Sequence, residues 1–229
     1  MRVNGDSVHP MSKSDVYQAC RERLITLAGR LSAPQLRAPV PACPGWTVKD
    51  TFAHLVGTST DYVRDHMEGA GSDPWTATQV EDRRTANIGD LVEEWEVHAS
   101  LFDKKFERAG NEVSALASDI WCHEYDIAGA LGWRGSRAPE RVEWGARAVR
   151  AIPRLLEGTD LPVPTIIADG ETVVEGDGPI LRAHAYDLAR MVYGRRSWAQ
   201  IREMDWDRDP EPYLEHLSFF SAPADDLID

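Results

Sequence analysis

The sequence predicts a mostly α-helical protein: an antiparallel four-helix bundle at residues 12–158 followed by a small α+β domain at 159–229. Three observations predict it. Apolar residues recur at helical spacing in four stretches between Val16 and Leu131. The joints between these stretches are short or moderate, which favours antiparallel neighbours. Beyond Leu156 the pattern changes to two β-rich runs flanking Asp169-Gly170, the residue pair of a tight type I′ hairpin.

Residues 1–11 read as a loose tail. Ser12 or Ser14 can cap a first helix whose Val16, Cys20, Leu24, Leu27 and Leu31 form one stripe. Pro34 and the run Pro39–Pro44 end it, because proline cannot continue a helix. Thr47 caps the second helix, expected over 47–67, with Asp50 as its capping-box partner and Gly69 and Gly71 as stops. Residues 72–86 are polar and predict a solvated loop. Ile88, Leu91, Val92, Trp95, Ala99, Phe102 and Phe106 form the clearest helical face, and a fourth helix is expected over 113–131, closed by Gly132. A further helix over 139–156 would pack beside the bundle. After the hairpin at 164–175, Gly176–Pro179 is expected to open a helix running to Tyr193-Gly194, and Ser197 to cap another.

Composition sets the outer bounds. Hydrophobic residues make up 42% and charged residues 28% of 229, the profile of a soluble globular protein. A formal net charge of -13 opposes binding to nucleic acid or an anionic membrane. No apolar run approaches the roughly 20 residues that span a bilayer. The start, Met1-Arg-Val-Asn-Gly-Asp, lacks the apolar core of a signal peptide. Three cysteines without a CxxC pair suit a reducing, cytoplasmic setting, and the protein is expected to be a monomer or homodimer.

The chemistry centres on Pro41-Ala-Cys-Pro-Gly-Trp-Thr-Val-Lys-Asp-Thr-Phe-Ala-His54, a rigid loop followed at once by a helix. Downstream stands Asp119-Ile-Trp-Cys-His123-Glu-Tyr-Asp126. Asp119 and His123 lie four apart, about 40° around one helix, so both can face one ion. Spacing alone also allows the plainer alternative, because His54 projects roughly 140° from the centre of its helix's apolar stripe. These two motifs resemble the maleylpyruvate-isomerase-like, mycothiol-dependent family of actinobacteria. That resemblance implies a DinB-like four-helix metal-binding domain with a smaller C-terminal domain. It implies metal ligands at His54, Asp119 and His123, a divalent cation such as zinc, and mycothiol as thiol cosubstrate. In the isomerase that names the family, glutamate stands where this chain has Asp119, one methylene shorter.

The expected activity is thiol activation for attack on an electrophilic carbon, ending in isomerisation or S-transfer. Arg195, in Tyr193-Gly-Arg-Arg-Ser197, resembles the family's late glycine-arginine segment and could fork onto a substrate carboxylate. Two other functions compete: a non-catalytic metal-binding or regulatory bundle, and a metal-dependent hydrolase with Asp126 or Glu124 as base. Glu94 with His98, and His184 with Asp187, share ligand-like spacing but read as solvated helix surface. Cys43 and Cys122 read as small buried hydrophobes. Asp126 could orient His123, and Glu124, inside an apolar stripe, has no evident role.

Overall fold

Helix starts follow the capping chemistry. In the computed structural model, which describes residues 11–133 and 137–229, Ser12 and Asp15 form a complete capping box at the start of α1 (Lys13–Ala28). All but residue 11 of the expected tail lies outside the described residues. A short helix, α2 (Ala33–Leu36), has Pro34 in its first turn and leads into the proline-rich loop. Gly45 sits at φ 89°, a left-handed value that suits glycine, and a single bridge pairs Pro39 with Thr47. Thr47 then caps α3 (Val48–Val63). Its Oγ1 accepts from Asp50 N at 3.2 Å, and Asp50 Oδ2 accepts from Thr47 N at 2.9 Å.

Helices α5 (Ile88–Arg108) and α6 (Ser114–Ala130) complete the bundle. Both α1 and α3 pack on both α5 and α6. Tyr17 of α1 stacks on Phe102 of α5 with centroids 4.1 Å apart, and Tyr62 of α3 meets the same ring at 5.0 Å. Each such pair adds about 0.5–1.5 kcal/mol beyond the area it buries.

The structure departs from expectation at four places. Residues 72–86 are not a loop throughout: Ser72 caps α4 (Asp73–Asp82), with Pro74 in its first turn. Its inward residue is Gln79, 2% exposed, so the apolar periodicity that marks helices is missing here. The second bundle helix stops at Val63 rather than 67, with Asp65 at φ 60° just beyond it. The helix expected over 139–156 is broken into α7 (Pro139–Ala146), a 3₁₀ segment Arg147–Ala151 and α8 (Ile152–Leu155). Pro153 lies at the start of α8, where its missing N–H is tolerated. Gly176–Pro179 opens a strand, not a helix, because Ile180–Ala183 joins β1 in parallel.

Strands β1 (Thr165–Ala168) and β2 (Glu171–Val174) form the expected hairpin, with Asp169 at φ 48° and Gly170 at φ 91° as a type I′ turn requires. Strand β3 (Ile180–Ala183) and the short β4 (Asp205–Trp206) complete a sheet of order β2-β1-β3-β4. Helix α9 (Ala185–Val192) belongs to both hydrophobic cores: Tyr186 and Ala189 enter the bundle's, while Leu188, Met191 and Val192 enter the sheet's. Helix α10 (Trp198–Arg202) follows, capped by Ser197. Among the described residues no helix is long and apolar enough to cross a membrane.

Candidate metal centre

The rigid loop and capping box set the start of α3, so His54 comes at its second turn, buried. Nearly all of α3 is buried, so the polar flank carrying His54 is inside as well as the apolar stripe. His54 Nε2 lies 3.2 Å from Asp119 Oδ2, and His123 Nε2 lies 3.4 Å from Asp119 Oδ1. The imidazoles of His54 and His123 stand edge-to-face, centroids 5.1 Å apart. Ligands about 2.1 Å from a tetrahedral ion stand roughly 3.4 Å from one another. One donor atom from each of His54, Asp119 and His123 falls within 4.8 Å of the other two, a set that could hold one cation.

The protons decide what this cluster wants. His54 Nδ1 is 2.7 Å from Gln79 Oε1, and His123 Nδ1 is 3.0 Å from Asp126 Oδ2. Both partners are acceptors, so both rings carry their proton on Nδ1 and turn Nε2 towards Asp119. Asp119 Oδ2 is buried with no well-formed hydrogen bond. Burial opposes ionisation of Asp119, but His54 and His123 hold its carboxyl well below the usual carboxylate range. Burial likewise disfavours a charged His123, yet Asp119 leads the groups that push its pKa well above the imidazole range. The cluster is short of positive charge, which extra protons or one metal cation would supply. The shorter Asp119 side chain reaches both imidazoles.

Behind His123 lies a buried ion network. Asp126 is desolvated, but Arg195 and then Arg190 hold its carboxyl well below the ordinary range. Arg190 Nη2 donates to Asp126 Oδ1 at 2.6 Å, and Arg190 Nε to Asp229 Oδ2 at 2.7 Å. Arg196 pairs with Asp229 at 3.0 Å and with Asp187 at 2.8 Å. Arg195 Nη2 sits 3.0 Å from Asp126 Oδ2 and 3.8 Å from Cys43 Sγ.

A cavity of about 1460 Å³ opens over the cluster, walled by Trp46, Trp75, Trp144, Tyr193 and Phe220, with Arg195 at its edge. Cys43 lines this cavity and is only partly buried, whereas Cys20 is buried against Arg23. Cys122 is also buried, and desolvation pushes its thiol up to about 12. Glu94 is not simply solvated: it binds Arg83 and accepts from Thr60 at 2.7 Å. Glu124 gains an account, since Arg23 and Arg141 neutralise it at 2.7 and 2.8 Å. His184 and Asp187 do not share a site: His184 bonds to Asp169, and Asp187 to Arg196.

The family described as Mycothiol maleylpyruvate isomerase N-terminal domain matches residues 17–128. The matched span contains all three residues of the cluster and ends just beyond Asp126. The mycothiol maleylpyruvate isomerase fold extends further. The chain is similar in structure to the solved crystal structure of the mycothiol-dependent maleylpyruvate isomerase, with a TM-score of 0.53 at 11% identity. That likeness covers 85% of this chain and 91% of the other, so it includes the C-terminal unit and shows a shared DinB-like fold. Among curated proteins no sequence matches the chain.

Sequence reasoning missed Gln79, Arg190 and Asp229. Gln79 lies in the stretch expected to be a loop, and Asp229 comes 103 positions after Asp126 (229 − 126), so no local spacing links them.

Proposed function

We propose that the chain is a metal-dependent enzyme that activates mycothiol for attack on an electrophilic substrate, as an isomerase or an S-transferase. One observation carries the reading: the Asp119 carboxylate, its Oδ2 buried without a hydrogen bond, lies between two imidazole nitrogens whose Nδ1 partners are acceptors on their far sides. Three acceptors this close repel one another unless an extra proton or a cation stands among them, and a cation satisfies all three at once. His54, Asp119 and His123 would be its ligands, an N/N/O set suited to zinc. Three protein ligands leave a fourth position for a thiol. The bound cation would lower the pKa of that thiol, so that a thiolate exists at neutral pH.

The chain's own residues would do the rest. Asp126 orients the ring of His123. Trp46 and Trp75 wall the cluster with apolar surface. Arg195 is the proposed catalytic residue. Asp126 and the Tyr193 carbonyl (2.9 Å) hold its guanidinium at the cavity edge, and its remaining N–H groups can meet an anionic oxygen of the substrate. Ligand pockets usually measure about 300–1,000 Å³, so this cavity has room for a thiol and a second substrate together. Isomerisation and S-transfer share the addition of the thiolate to the electrophilic carbon.

The hydrolase alternative needs a carboxylate base in the cavity. Neither Asp126 nor Glu124 lines it, and arginines neutralise both. Metal analysis after purification without chelator tests the proposal. We expect one divalent ion per chain, lost in His54→Ala, and thiol-dependent consumption of a generic electrophile that the variant lacks. A metal-free wild-type protein would overturn the proposal. A bound ion without thiol chemistry would favour the non-catalytic module.

A further inference from the structure

We propose that Gln79 is a positioning residue that sets the tautomer of His54 and thereby tunes cation binding; this rests on His54 being a ligand. A chain of donors and acceptors runs from Asp61 through Gln79 to His54. Gln79 is 2% exposed, and its Nε2 lies 2.9 Å from Asp61 Oδ2. A carboxylate only accepts, so the amide must turn its NH₂ to Asp61 and its oxygen to Thr58 and His54. That oxygen accepts from Thr58 Oγ1 at 3.3 Å and faces His54 Nδ1 at 2.7 Å. The reversed amide would set its oxygen against a carboxylate. His54 must therefore carry its proton on Nδ1, leaving Nε2 as a bare donor atom towards Asp119.

The backbone is shaped for this contact. A Cβ at position 57 would stand 2.6 Å from Gln79 Cβ and 2.9 Å from Arg83 Nη1, so glycine at that place lets α4 seat directly on α3. Arg83 ties the end of α4 down, donating to the Gln79 carbonyl at 3.1 Å and to Glu94 Oε2 at 3.0 Å. One turn earlier on α4, Trp75 packs edge-on to His54 at 6.5 Å. A single short helix thus supplies a cavity wall and the proton acceptor that orients His54. Without that acceptor, the imidazole can move its proton to Nε2 and donate it to Asp119, and that bond competes with a cation.

The test measures zinc affinity of the full chain against a chromogenic chelator, and the imidazole nitrogen NMR shifts of the metal-free protein. Gln79→Met keeps the length of the side chain and removes its acceptor. We expect affinity to fall about 10–100-fold, with His54 changing from the Nδ1–H to the Nε2–H tautomer. Gln79→Glu combined with Asp61→Asn restores an acceptor to His54 and a donor from position 61. It moves negative charge towards the ligand and should tighten zinc binding severalfold. Unchanged affinity and tautomer in Gln79→Met would overturn the proposal, as would unchanged or weaker binding in the paired variant, which decides alone if Gln79→Met does not fold. His54→Ala separates the two levels of the argument. If it keeps stoichiometric zinc, the metal reading itself has failed; if only Gln79→Met is silent, the failure belongs to this inference.

Discussion

The two imidazoles of the cluster are oriented by opposite kinds of chemistry. His54 leans on a neutral amide from α4, inside the bundle, and that amide is itself held by Asp61 and Thr58. His123 leans on an ionised carboxylate that two arginines from the C-terminal unit neutralise. An amide support costs little to bury because every polar atom is paired across short distances. The ionic support is different. Buried charges pay a large desolvation penalty, and removing one partner leaves the others uncompensated. The difference teaches that the two halves of the centre should fail differently: the His54 side by a loss of geometry, the His123 side by a loss of folding.

Arg190→Met presses hardest on this contrast. Arg190 is fully buried between Asp126 and Asp229, and its removal should cost about 3–5 kcal/mol in urea denaturation. A cost below 1 kcal/mol would mean that Arg195 and Arg196 neutralise both carboxylates unaided, and the contrast would lose its basis. Gly57→Ala strikes the other side. Overpacking against Gln79 and Arg83 is partly offset by better helix propensity, for a net loss of about 1 kcal/mol. Its zinc affinity should nonetheless fall by more than that modest destabilisation suggests, because the backbone seat of Gln79 moves.

The smallest effect comes from a third histidine–carboxylate pair, exposed between the hairpin turn and the start of α9. The hydrogen bond from His184 at 2.8 Å, joined by that from Ala185 N, holds the Asp169 carboxyl below its ordinary range against slight desolvation. A depressed folded pKa adds stability above the unfolded value of about 3.9, and this is lost as pH falls through the folded value. Asp169→Asn, tolerated at φ 48°, should cost a few tenths of a kcal/mol at neutral pH and flatten the stability profile below about pH 4. A loss as large as that of Arg190→Met would show that burial is not what separates the pairs.

The legible and illegible parts of the centre divide along the same line. Thr47, Asp50 and the loop before them announce a helix start, so the place of His54 on α3 could be read directly. The four-residue interval between Asp119 and His123 could be read as one helix face. Gln79 could not, because α4 is anchored by one polar side chain, and apolar periodicity is blind to that. Strand β3 carries no strand signal of its own, because its four residues owe their form to pairing with β1. Glu124 was opaque for a like reason: its partners, Arg23 and Arg141, come from other helices.

The sequence by itself determined the bundle and the hairpin turn, since caps, helical period and left-handed turn residues act over a few positions along the chain; the candidate ligands His54, Asp119 and His123 came from the resemblance of two motifs to a family, not from spacing. Only the tertiary structure decided which atoms face one another: that Nε2 of both imidazoles turns to Asp119, that α4 brings an amide behind one of them, and that Arg190 joins Asp126 to Asp229. Those arrangements follow from packing and from the matching of donors to acceptors between distant segments, and no interval in the sequence encodes them.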